Sequence, residues 1–486
     1  MLFNSFAFLL FFPVVAISFY LLPHRWRWLH LLVASCVFYM SFIPAYVLIL
    51  FFTIAIDFTA GILIEAAHGR QRQLYLALSL AANLGVLAVF KYYNFFVDNI
   101  NASLHLEAGS GALSLLSFVL PIGLSFHTFQ AMSYTIEVYR GNYPAERHLG
   151  LFALYVLFFP QLVAGPIERP QHVLPQLHET QIFYYENVTS GLRLMAWGLF
   201  KKVVIADRLA LLVNPVYNSP GDFRGLPLTV ATVFFSLQIY CDFSGYSDMA
   251  LGAARVLGFR LMQNFNRPYF ASSIGEFWRR WHISLSTWFR DYLYIPLGGN
   301  RGALPRRYAN VLIVFLASGL WHGANWTFLV WGALHGSYLL LEQMTRPLRR
   351  GLARQQGLGW LRHPGLGVLV TYCLVAFAWI FFRANTFADA CYMVRHLADP
   401  AVSQRYGVVR HGLDTVFTFY AADEWLALGG AVGILWLVER AQARVAVGRW
   451  VARQVAPVRW ALYYGIVGYI ALLGAFETRQ FIYFQF

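Results

Sequence analysis

The chain has 486 residues, of which 58% are hydrophobic and only 12% charged, with a formal net charge of +14. Together with a mean hydropathy of +0.52, this excludes an ordinary soluble globular protein. The four cysteines, Cys36, Cys241, Cys373 and Cys391, form no close pair, so neither a disulfide frame nor a metal site built on cysteine is expected.

Apolar runs long enough to cross a bilayer recur at 2–22, 45–64, 74–90, 311–320 with 328–341, 365–382 and 460–476. Hydrocarbon offers no partner to the backbone, so such runs are helices or strands of a closed barrel. Barrel strands alternate in and out, whereas these runs are continuous. The expectation is an all-α, polytopic integral membrane protein with about ten to twelve transmembrane helices. No repeat or low-complexity linker divides it, so one domain over 1–486 is expected.

The first helix is not read as a secretory signal: "MLFNSFAFLLFFPVV" has no basic residue ahead of its apolar stretch and no small-residue cleavage site. Positive charge follows it at Arg25 and Arg27, and returns in 68–73, 305–307, 346–356 and 439–454. By the positive-inside rule these segments face the cytoplasm. Both termini and the loop 384–424, whose charges nearly balance, then face outward. Basic loops against an anionic leaflet account for the net charge, and no nucleic-acid partner is implied.

Polar islands interrupt the apolar pattern. In "LPIGLSFHTFQAMSY" (120–134), Pro121 and Gly123 are expected to break a helix that carries His127, Thr128 and Gln130. "FFPQLVAGPIERP" (158–170) reads as a re-entrant turn, which needs protein or water around its backbone. "IYCDFSGYSDMALG" (239–252) holds Asp242 and Asp248 six residues apart; a catalytic pair is one reading, and ion pairs with nearby arginines the plainer one. "SIGEFWRRWHISLSTWFRDYLYIPLGGNR" (273–301) has the tryptophans and arginines of interfacial helices. His282 within it adds little to anchoring.

The last island is "SGLWHGANW" (318–326). Counting about twelve residues at 1.5 Å from Asn310 carries His322 roughly 18 Å inward, to the middle of a hydrocarbon core of about 30 Å. A polar group at that depth is either satisfied by a neighbouring helix or functional. The run that begins at Trp326 is expected to continue the path and bring His335. An imidazole there, reached by water, can take a proton from an attacking hydroxyl.

"QIYCDFSGYSDMALG", "NFNRPYFASSIGEFWRRWHISLSTWFRDYLYIPLGGNR" and "GLWHGANWTFLVWGALHG" carry a resemblance to the membrane-bound O-acyltransferases of the alginate O-acetylation type. "LPIGLSFHTFQAMSYTIEVYRG" and the closing "FIYFQF" agree with them. The dense similarity covers about 85–345, and the long tryptophan–histidine motif is specific. The resemblance implies a many-helix fold with interfacial helices around a central tunnel that joins the two membrane faces. It places the family's catalytic histidine on His322 and a second active-site histidine on His282. Trp321, Gly323, Asn325, Trp281, Asp242 and Asn300 become candidates for the tunnel and substrate contacts. It further implies a cytoplasmic acyl thioester as donor, with acetyl-CoA expected and no bound cofactor or metal. The acyl group would leave on the far side of a bacterial inner membrane, where a periplasmic acetyltransferase or accessory protein passes it to an exopolysaccharide hydroxyl, alginate-type foremost.

The chemistry is coherent on its own terms. Transfer from a thioester needs a base for the attacking hydroxyl and a donor for the developing oxyanion. His322 suits the first role; His282, Asn325 or an indole N–H suits the second. Other acyltransfer signatures are missing: the residue five after each histidine is Thr287 or Thr327 rather than aspartate, and there is neither a Gly-x-Ser-x-Gly elbow nor a Gly-Lys-Ser/Thr phosphate loop. The alternative function is a proton-coupled transporter or flippase of a polysaccharide or acyl precursor, although matched half-repeats are not seen.

Overall fold

A computed structural model describes residues 1–106, 112–117, 121–352, 363–400, 402–403 and 410–476; the closing "FIYFQF" lies outside the described residues. Helices dominate. The only strands among the described residues are the two-residue segments Val402–Ser403 and Arg410–His411, paired antiparallel. The all-α class therefore stands. Five described helices are long and apolar enough to cross a membrane: Pro44–Ala66, Gly69–Ser103, Leu226–Val256, Pro364–Arg383 and Ala456–Leu473. Phe6–Leu21 is a shorter apolar one, and along it Phe6, Leu9, Leu10, Val14 and Ile17 are each more than half exposed. Such a surface is stable against lipid and not against water. The protein is a multi-pass membrane protein.

Contacts divide the chain into two compact units, Met1–Met195 with Ser247–Met262, and Ala196–Tyr246 with Gln263–Phe486. In the first, polar side chains on apolar helices are turned inward, and several bond one another. Asp57 is fully buried and accepts from Ser79 Oγ (2.6 Å) and Asn83 Nδ2 (2.9 Å). His127 meets Thr53 Oγ1 at 2.6 Å, and Gln130 donates to the Tyr155 carbonyl at 2.6 Å. These bonds explain polar residues in apolar runs without catalysis. Pro121 and Gly123 do not break their helix. Gly123 sits at φ 76° as the residue before Leu124–Arg140, so the pair sets where the helix begins. In 158–170 the long straight span is absent, as expected: residues 163–169 are non-helical, and all but Arg169 are buried. Glu168 there accepts from the Met262 amide and from His172 Nδ1 at 2.6 Å. The hydrogen bond it donates to that carboxylate raises His172 above its ordinary 6.5.

The second unit contains every residue of the candidate site. The helix beginning at Tyr185 passes through a π-helical turn, Phe200–Ala206, into Asp207–Asn218. Within that turn Lys202 is buried and bridges Asp207 (2.9 Å) and Asp242 (2.7 Å). Asp242 is thus in an ion pair, and the partner seen is a lysine where arginines were expected. Leu226–Val256 runs straight through Gly245, where a Cβ would lie 2.7 Å from the Gly198 carbonyl. Glycine is needed there because two backbones touch.

Leu304–His322 and Trp326–Leu352 form an antiparallel hairpin. Gly319 lies against the Phe328 carbonyl, Gly332 against the Phe315 carbonyl and Gly336 against Leu312, positions whose paired numbers keep an almost constant sum. Small residues let the two backbones meet, as helices in lipid require. The run from Trp326 thus turns back where the sequence suggested it continued. Asn325 explains the reversal: its Oδ1 accepts from the Thr327 amide at 3.0 Å and caps the second helix. His322 is the last residue of a 19-residue helix, about 28 Å from its start. The twelve residues counted inward from Asn310 are helical, and the helix stops at His322 where a continuing path was expected.

Candidate active site

Asn264 organises the site. Its Oδ1 accepts from the Ser284 amide (3.2 Å) and the Ser284 hydroxyl (2.9 Å), and contacts His282 Nδ1 at 3.1 Å. A backbone N–H can only donate, so the atom facing it is the amide oxygen. His282 Nδ1 must then carry the ring proton, and in the neutral ring Nε2 is the acceptor. The Ile283 amide also donates to the Asn264 carbonyl, at 2.9 Å. Between these anchors His282 takes φ 43°, ψ 55°, a left-handed conformation uncommon for a residue with a side chain. The short helices Ile274–Arg280 and Ile283–Phe289 flank it, and the conformation is what turns the chain between them.

His282 is fully buried and His322 is 5% exposed. Their ring centres are 6.5 Å apart. Aromatic side chains enclose both. Phe243 meets His282 edge-on at 4.7 Å, while Trp321, Trp331 and Phe382 pack on His322 at 5.0–5.2 Å. Trp321 touches both rings, being 6.0 Å from His282. The Trp331 indole N–H is buried with no acceptor among the described residues. Beside this shell a cavity of about 470 Å³ opens, lined by Asn214, Asn218, Gly323, Ala324, Asn325, Phe328 and Arg383–Asn385. Gly323 separates it from His322, and a Cβ at Gly323 would overlap the Phe328 ring.

The structure brings His282, His322, Trp321, Gly323 and Asn325 together and sorts the other candidates. Trp281 is buried in the same shell, stacked on Phe277 at 5.5 Å and 5.0 Å from Trp379. Asp242 is turned to Lys202, and its neighbour Phe243 is the residue that meets His282. Asn300 is not in the site: it is exposed, accepts from the Tyr294 hydroxyl at 2.7 Å, and precedes the helix whose opposite end is His322. Asn325 spends its oxygen as a cap and donates from Nδ2 to the Asn385 carbonyl at 3.2 Å. Neutral His282 cannot donate from Nε2. Of the donors considered from sequence, an indole N–H and the second N–H of Asn325 Nδ2 remain, and Trp331 is a buried indole packed on His322. Asn264 opens the motif "NFNRPYF", but an asparagine in a loop carries no mark in sequence of the turn it will hold.

His335 lies one layer further in. It is fully buried, with Trp278, Trp331 and Tyr338 around it at 4.9–5.9 Å and neither ring nitrogen paired among the described residues.

A multi-pass helical protein with two enclosed histidines, one at a helix end beside an open polar cavity, has the make-up of a membrane-embedded enzyme. The model of the MBOAT, or membrane-bound O-acyltransferase, family matches residues 147–385. A probable alginate O-acetylase AlgI of Azotobacter vinelandii is 42% identical over 79% of this chain and 75% of its own. One of Pseudomonas aeruginosa is also 42% identical, over 79% of this chain and 72% of its own. A peptidoglycan O-acetyltransferase of Helicobacter pylori is 35% identical over 76% of this chain and 72% of its own. The chain belongs to the membrane-bound O-acyltransferase family and resembles its AlgI members.

Proposed function

We propose that this O-acyltransferase carries acetyl groups outward for O-acetylation of an extracytoplasmic polysaccharide, with an alginate-type polymer as the final acceptor. The observation that carries the reading is the enclosed pair His282 and His322, with His322 at a helix end beside the open cavity. In this reaction His322 takes the proton of the attacking hydroxyl. The new oxygen–acyl bond forms, the carbon–sulfur bond breaks, and the proton goes on to the departing thiolate. The Trp331 N–H supports the oxyanion. His282, with its proton held on Nδ1, offers Nε2 as an acceptor that orients the reacting group. Because both rings are closed in by aromatic side chains, reactants reach them when members of that shell turn aside.

The donor is a thioester from the cytoplasmic side, acetyl-CoA being the simplest. The positive-inside rule gives the direction: Arg306 and Arg307 lie near the start of the helix that His322 ends, so the cavity beside Gly323 opens outward. The protein then resides in a bacterial inner membrane with both termini periplasmic, and a periplasmic acetyltransferase or accessory protein completes the relay. The names of the relatives support acetylation of a polysaccharide. The test is His322→Ala and His282→Ala in cells. Protein level and membrane insertion should persist while glycan acetate is lost. Undiminished acetylation in the His322 variant refutes the mechanism.

A further inference from the structure

In the first compact unit, positive charge gathers without an acid at the start of the helix His24–Met40. That helix has no side-chain cap, and its first turn holds Arg25 and Arg27 but no carboxylate, although the dipole there favours an anion. Arg27 is held by three main-chain carbonyls: Nε donates to Leu22 (2.9 Å), Nη1 to Gln181 and Nη2 to Tyr20 (3.3 Å). These neutral oxygens fix the guanidinium and leave its charge whole. Arg25 lies over the Trp26 ring at 6.0 Å. Among the described residues neither arginine has a carboxylate within ion-pair distance.

Both arginines line a pocket of about 180 Å³, with His148, Glu179 and Gln181 on the same wall. The Leu151 amide donates to His148 Nδ1 at 3.1 Å, so in the neutral ring the proton is on Nε2, which is left as a donor. His178, also on the wall, is taken by Glu146 at 2.7 Å. Glu179 has no cation within ion-pair distance among the described residues. Two guanidiniums against this one carboxylate leave a single positive charge, which one phosphodiester neutralises. The volume lies below that of whole small-ligand sites and suits a headgroup alone.

The lip of the pocket is apolar. Leu21, just ahead of it in the chain, and Ile182 and Phe183, which follow Gln181, are each more than half exposed, and Phe183 meets the Tyr20 ring edge-on at 5.3 Å. The half-exposed Trp26 marks headgroup depth. A charged cleft with bare apolar surface at its rim matches the two parts of a phospholipid, where a soluble phosphate would need only the cleft. We propose that this pocket binds the headgroup of an anionic phospholipid. Its phosphate meets Arg25 and His148 Nε2 beside the fixed charge of Arg27, and its hydroxyls meet Glu179. Phosphatidylglycerol has that charge and those hydroxyls. The site needs no part of the acyl transfer.

The test uses purified full-length protein, stripped of lipid in detergent and titrated with short-chain lipids, with binding read by native mass spectrometry. Phosphatidylglycerol should bind about fivefold more tightly than the matching phosphatidylethanolamine, the effect of about one basic residue facing one lipid charge. Arg25→Gln should abolish that preference. Arg70→Gln, which removes an equal charge from an exposed position outside the pocket, should leave it intact. Glycerol phosphate at the same concentration should not displace the lipid. Equal affinity for the two lipids, a preference that survives Arg25→Gln, an equal loss in Arg70→Gln, or displacement by glycerol phosphate each overturns the proposal. The first comparison is made on the unmodified protein, so a misfolded variant cannot hide the answer.

Discussion

Asn264→Ala probes the device that makes His282 usable. The substitution removes one oxygen that serves the Ser284 amide, the Ser284 hydroxyl and His282 Nδ1 in a fully buried place. The hydroxyl can rotate to another acceptor; the amide and the ring N–H cannot. Each buried donor left unpaired costs about 1–3 kcal/mol, so a clear fall in thermal midpoint is expected. Loss of one neutral hydrogen bond of about 1 kcal/mol also removes about a fivefold bias for the proton on Nδ1. Acetyl transfer per folded molecule should therefore fall at least about fivefold, more if the left-handed turn relaxes. Asn264→Asp separates the two effects. A carboxylate still accepts all three bonds and keeps the turn, but it lets the ring hold a second proton and so removes Nε2 as an acceptor. Stability should survive in Asp and fall in Ala, while transfer falls in both. Nitrogen-15 histidine spectra, with His282 assigned from its loss in His282→Ala, report the tautomer. Wild-type transfer in Asn264→Ala with an unchanged His282 tautomer refutes the reasoning.

Other expectations follow from the same physics. Lys202→Met strands Asp207 and Asp242 without their buried cation, and breaking such a pair costs about 3–5 kcal/mol; unfolding in detergent should show it, and adding Asp207→Asn with Asp242→Asn should return most of the loss. Gly332→Ala drives a Cβ into the Phe315 carbonyl, so the hairpin must part; about 1–3 kcal/mol of destabilisation and lower protein levels are expected, whereas Gly429→Ala, with open space around it, should be silent. His335→Phe replaces an unpaired imidazole in an aromatic cage and should be neutral or stabilising, since no bond is lost; loss of transfer with the fold intact would give His335 a chemical role. His172 is held above its ordinary value by the hydrogen bond to Glu168. Its contribution to stability is complete below the ordinary 6.5 and fades as pH rises through the raised value, a dependence that Glu168→Gln should abolish.

What was legible in the sequence had a one-dimensional signature. Continuous apolar runs gave the helical membrane class, and "RRWHISLS" with "GLWHGANW" gave both histidines. What was not legible depended on where the chain turns. Nothing in a run of apolar residues says whether the segment after Gly323 proceeds or returns; an asparagine two residues before Thr327 decides it by capping a new helix. Asn300 and Asn325 were both candidates for the tunnel, yet the 19-residue helix between them puts them at opposite ends. Arg383 directly follows an apolar run, and nothing in its neighbours marks it as buried. Only the meeting of three helix ends, at Asn218, His322 and Arg383, shows that its charge is buried, and helix ends meet in space, not in sequence.

The reversal at Gly323 changes the logic of the reaction path. Fifteen residues separate Arg307 from His322, about 22 Å of helix against a hydrocarbon core of about 30 Å. In the proposed reaction the acceptor then has a short approach through a wide polar cavity, and the donor a long one through the aromatic shell. A thioester on an extended, flexible arm fits such a passage; a compact, fully hydrated donor does not, because its charged body would have to be desolvated along most of that distance. The same asymmetry suits the two histidines. His322 adjoins Gly323, which lines the cavity, so the proposal gives it the arriving hydroxyl; His282 is fully buried and held by Asn264, so the proposal gives it the orienting role. Proton removal at the cavity side and orientation from within follow from where the hairpin turns.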